Sequence, residues 1–113
     1  MTIAQKRQNA RDEFQSWLQA AFTSAGIESA QVSYSRQHGV LVRGVDYEYA
    51  VRISGPLEGG SFGYSVARYH HKSLPSDFPP VGHLHTLSPR EMAINLALDI
   101  QRMRLTKALP QKL

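Results

Sequence analysis

Four of the five histidines fall in one stretch, as His70-His71 and His83-x-His85. In an extended chain His83 and His85 project from the same side, and two imidazoles so placed can chelate one cation. Adjacent His70 and His71 point apart, so only one of them, His70, would join the pair, with Asp77 as the available carboxylate. Three nitrogen donors and a carboxylate would suit zinc. One reading is therefore a histidine-based metal protein with His70, His83 and His85 as ligands. The competing reading makes them polar loop residues beside prolines, one of them capping the following helix or stacking on Phe78. Apart from the H-x-H pair, the spacing matches no defined zinc signature.

Other catalytic chemistry has less to stand on. The serines include Ser33, Ser35, Ser54, Ser61, Ser65 and Ser73, and none lies in a G-x-S-x-G turn. Gly59-Gly60-Ser61-Phe62-Gly63 is glycine-rich but lacks the lysine and the following helix of a phosphate-binding loop. Asp46 and Glu48 flank a turn and read as residues that keep it solvated. The chain has no cysteine, which removes disulfides, thiolate metal sites and a cysteine nucleophile. No motif joins a nucleophile to its base, so the expectation is no catalytic residue, no enzyme activity and no cofactor other than the zinc just considered.

Cations offer a second binding chemistry. Arg36, Arg43, Arg52 and Arg68 fall in stretches rich in tyrosine and phenylalanine, a mixture that can bind single-stranded nucleic acid. Arg102, Arg104, Lys107 and Lys112 could neutralise phosphates. The 113 residues carry 13 Lys and Arg against 9 Asp and Glu, a net charge of +4. Those last four cations equal the whole surplus, so residues 1–101 balance to zero. Cations at the end of a helix also complement its dipole without any ligand.

The elements that must position these groups follow from periodicity. Residues 3–25 read as an amphipathic helix with Phe14, Trp17, Leu18, Ala21 and Phe22 on one face, extended by Ala10 and Ile3. Gly26 suits the left-handed position that ends it, with Ile27 packing back. Residues 31–36 and 40–43 form a hairpin around Gln37-His38-Gly39. Residues 47–53 alternate Tyr47, Tyr49, Val51 and Ile53 with Glu48, Ala50 and Arg52. Residues 61–69 place Phe62, Tyr64 and Val66 on one face, with Ser61, Gly63, Ser65 and Ala67 on the other. A proline-rich connection covers 70–87. Ser88-Pro89-Arg90-Glu91 then opens the last helix as a capping box, and it runs to about residue 108. The fold class is α+β, ordered α-β-β-β-β-α: one domain over residues 1–113, with both helices on one face of an antiparallel meander.

The last helix is wider in its apolar arc than one sheet covers. Met92, Ala93, Leu96, Ala97, Ile100 and Met103 face one way, and Ile94, Leu98 and Leu105 extend the arc sideways. This surplus is the basis of the leading expectation: a small non-enzymatic interaction module of adaptor, inhibitor or regulator type. It would dock on another protein or a nucleoprotein complex, or on a second copy, through Ile94, Leu98, Leu105, Arg102, Arg104 and Lys107 with loop 70–87. Small basic chains of this kind are frequent among phage and mobile-element proteins. The alternative is nucleic-acid binding through Arg36, Arg43, Arg52, Arg68, Arg102 and Arg104. The apolar runs are far shorter than the ~20 residues of a membrane span, and the N-terminus lacks the apolar core of a signal peptide, so a cytoplasmic address is expected.

Overall fold

The computed structural model describes residues 1–72 and 86–108, with backbone alone for 107 and 108. Helix α1 spans Ile3–Ala25. The Thr2 hydroxyl accepts from the Gln5 amide at 3.1 Å, and the Gln5 side chain accepts from the Thr2 amide at 3.0 Å. That reciprocal pair satisfies donors the first turn leaves open. The helix ends at Gly26, whose φ of 70° is left-handed, and the Ile27 amide closes back onto the Phe22 carbonyl at 2.8 Å. Ile27 is buried, as the sequence predicts.

Four strands follow: β1 Gln31–Ser35, β2 Gly39–Arg43, β3 Tyr47–Ser54 and β4 Gly63–His71. They form one antiparallel sheet in the order β1-β2-β3-β4. Short connections between successive strands make that meander the direct solution. Helix α2, Pro89–Ala108, is capped by Ser88 and Glu91 as the motif predicts. Both helices cover one sheet face. Phe14, Leu18 and Phe22 of α1 meet Met92, Leu96, Ile100 and Met103 of α2 over Val40, Val42, Tyr47, Tyr49, Val51, Tyr64 and Val66.

The helices run parallel. Arg90 at the start of α2 lies over Trp17, and Gln101 near its end donates to the Ala25 carbonyl at 3.1 Å. Glycine permits a close approach at the β2–β3 turn: a Cβ on Gly44 would lie 2.3 Å from the Tyr47 ring, so glycine there lets that ring seat in the core.

Two expectations are corrected. Ile3 does not extend the buried face of α1; it is exposed, because the core ends near Ala10. The last strand is shifted toward the C-terminus of its expected range and is not a simple alternation. Val51 pairs with Val66 but Ala50 pairs with Arg68, leaving Ala67 as an extra, bulged residue. A bulge advances the side-chain alternation by one. Tyr69 and His71 therefore turn to the helix side, and Arg68 and His70 to the open side.

Candidate functional site

The groove between the helices gathers several exposed large apolar side chains. Trp17, Ala20, Ala21 and Ser24 of α1 and Ile94, Ala97 and Leu98 of α2 line a cleft of about 450 Å³. Alanine and serine form a shallow floor, and the larger side chains form the walls. Ile94 is 40% exposed and Leu98 50%. Trp17, expected on the buried face, stands at its rim with 37% exposure. The Arg90 guanidinium lies 5.6 Å from the Trp17 ring centre, a cation–π contact that holds the indole in place. Leu105 lies farther along α2, beside Ala25, Gly26 and Ile27 in a separate depression.

The cations of the C-terminal helix are drawn inward. Arg104 donates from Nε and Nη2 to Asp46 at 3.1 Å each, and from Nη2 to Glu28 at 2.5 Å. This clamp ties α2 to the loop after α1 and to the β2–β3 turn. Its hydrogen bond to Glu28 is the main cause that holds the Glu28 carboxyl below the usual carboxylate range. Asp46 thus serves α2 as well as its own turn. Arg102 Nη2 donates to Asp99 Oδ1 at 2.6 Å. The Lys107 side chain and Lys112 lie outside the described residues.

Asp99 is the residue that sequence reasoning passed over. It is fully buried, and its Oδ2 accepts the Tyr49 hydroxyl hydrogen at 2.5 Å. His71 Nε2 lies 2.9 Å from both Asp99 Oδ2 and the Tyr49 hydroxyl oxygen. Two oxygens that can accept surround that nitrogen, so Nε2 carries the hydrogen. Burial, then the hydrogen bond to Asp99, holds the Tyr49 hydroxyl protonated far above the ordinary tyrosine range. A signal was present: Met92, Leu96, Asp99 and Met103 share one helical stripe, which put a carboxylate on the core face. Tyr49, His71 and Asp99 have almost no exposed surface, so the cluster braces α2 against β3 and β4 without presenting a reactive atom to solvent.

Of the proposed metal ligands, His70 alone lies among the described residues. His70 is exposed on the open sheet face beside Glu48, while its neighbour His71 is in the core. His83, His85 and Asp77 lie outside the described residues, as does most of loop 70–87. Among the described residues no three His, Cys, Asp or Glu form a metal-holding group. Of the strand arginines, Arg43 pairs with Glu48 at 3.2 Å, while Arg36, Arg52 and Arg68 are exposed. No helix among the described residues is long and apolar enough to cross a membrane. Comparison with protein-family models, curated proteins and solved structures finds no match.

Proposed function

We propose that this chain is a small interaction module of adaptor, inhibitor or regulator type, which receives an amphipathic helix of another protein in the α1–α2 groove. The observation that carries this reading is the exposed Trp17, Ile94 and Leu98 lining one groove with a floor of small residues. A helix laid there would bury its apolar ridge against those side chains, the helix-in-groove mode of recognition. Trp17 held by Arg90 is the kind of rigid aromatic and arginine pair that dominates binding energy at interfaces. The basic residues Arg102 and Arg104 act in this reading as internal ties and leave the apolar wall to make the contact.

The test is capture of the partner from the native host with the wild-type chain, repeated with Ile94→Glu and Leu98→Glu. Both positions are exposed, so the variants fold, as circular dichroism would check. Loss of the same captured protein with both variants supports the groove. Unchanged capture and unchanged activity remove it. Gel filtration with light scattering separates a heterologous partner from a second copy of the chain.

A further inference from the structure

We infer that the cleft between the first half of α1 and the β1–β2 turn binds the phosphodiester backbone of nucleic acid, a site independent of the helix groove. Arg7, Arg11, Arg36 and Arg52 line this cleft, which has a volume of about 590 Å³ and no carboxylate in its wall. None of the four makes an ion pair among the described residues, whereas Arg43, Arg102 and Arg104 all do. Among the described residues these four cations therefore form a cluster without counter-charge, although counting along the chain assigns the surplus to the C-terminal end.

The tertiary structure assembles this set from three elements. Arg7 and Arg11 are one helical turn apart on α1, where like charges cost stability in the absence of an anion. Arg36 lies in the β1–β2 turn. Gly39, with φ of +78°, brings the start of β2 against β3, where any Cβ would lie 2.4 Å from the Val51 carbonyl oxygen and 3.3 Å from the Arg52 Cα. That approach sets the turn beside Arg52.

Two of the guanidinium groups are already oriented. Arg11 lies 5.2 Å from the Tyr34 ring centre, and Arg7 donates to the Gly55 carbonyl at 3.3 Å. Asp12, next to Arg11 in sequence, accepts from Gln8 at 3.0 Å. Planar guanidinium forks match phosphate oxygens, and a cation-lined cleft focuses positive potential on an approaching anion. Arg52, at the margin of the cleft, belongs to the open sheet face together with Arg68, the two lying opposite Ser65 and Ala50, so the charge continues from the cleft onto that face. An extended cationic path fits a polyanion better than a single compact phosphate.

The experiment is fluorescence anisotropy of the full chain with a labelled mixed-sequence oligonucleotide of about 16 nucleotides, single-stranded and duplex, over a salt series. Inorganic pyrophosphate is titrated in parallel. Tight binding at low salt is expected, falling steeply as salt rises. Arg36→Gln and Arg52→Gln are each expected to weaken it across sequences and to lower the salt slope by about 1. Lys72→Gln makes the same charge change on an exposed residue outside the cleft and should leave affinity unchanged. The inference is overturned if neither oligonucleotide binds, if pyrophosphate binds and the oligonucleotides do not, or if the two arginine variants behave like Lys72→Gln.

Discussion

The Tyr49 hydroxyl donates to the Asp99 carboxylate at 2.5 Å in a part of the core where neither residue is exposed. The bond joins β3 to α2, and His71 of β4 reaches the same oxygen. A buried carboxylate is tolerable only when its oxygens are met, and here Arg102 meets the other one. Asp99→Ala removes the carboxylate that accepts from the buried Tyr49 hydroxyl, at an expected cost of about 3–5 kcal/mol in urea unfolding. Tyr49→Phe leaves Asp99 with His71 and Arg102, and should cost only about 1 kcal/mol. An Asp99→Ala loss no larger than that of Tyr49→Phe would refute the brace.

The bulge at Ala67 makes His71 available to that brace. Deleting Ala67 would restore plain alternation, sending Tyr69 and His71 to the open face and Arg68 and His70 into the core. The deletion is expected to abolish cooperative unfolding as followed by circular dichroism. Ala67→Ser keeps the extra residue at an exposed position, and its stability should lie within about 0.5 kcal/mol of wild type. A deletion variant that unfolds like wild type would show that the bulge does not set the register.

Arg104 links acid pH to stability through Glu28. The hydrogen bond from Arg104 lowers the Glu28 carboxyl from its ordinary value of 4.5. A depressed folded value stabilises the protein above the unfolded value, and that contribution is lost as pH falls through the folded one. Glu28→Gln should therefore lower the urea midpoint modestly at neutral pH, by the equivalent of about 0.2–1 kcal/mol, because the pair is largely exposed. The difference from wild type should close in acid. A gap that persists unchanged at low pH would assign the effect to something other than this charge.

Alkaline stability reads the buried tyrosines. Burial is the main cause that pushes Tyr47 and Tyr64 from 10.0 up to about 12. A raised folded value gives stability that is complete below the unfolded value and lost as pH rises toward the folded one. Urea midpoints should hold up to about pH 10 and fall toward pH 12. The Tyr47 hydroxyl has no hydrogen-bond partner among the described residues. Tyr47→Phe should therefore be at least as stable as wild type at neutral pH and lose less in alkali. A marked loss at neutral pH would mean that the hydroxyl is held after all.

Local rules reached far into this fold. The capping box at Ser88, the stop at Gly26, the alternation of Tyr47 to Ile53 and the four-residue spacing of Phe14, Leu18 and Phe22 are short-range signals, and each element formed where its signal lay. The exposed Ile94 and Leu98 were also readable, since an apolar arc wider than one contact surface follows from helical periodicity. Trp17 belonged to the same groove but looked like core, because periodicity gives the direction of a side chain and not the depth of the neighbour facing it.

What sequence alone determined was the list of elements, their order, and the surplus of apolar surface on α2, all consequences of repeats a few residues long. The tertiary structure decided where charge is spent. Along the chain the positive surplus falls after residue 101; in space Arg104 is neutralised by Glu28 and Asp46, far away in sequence, and Arg102 by Asp99. Among the described residues the cations without an ion pair include Arg7, Arg11, Arg36 and Arg52, gathered from a helix, a turn and a strand. Electrostatic attraction depends on separation through space, and one bulged residue at Ala67 was enough to exchange which of two adjacent histidines enters the core.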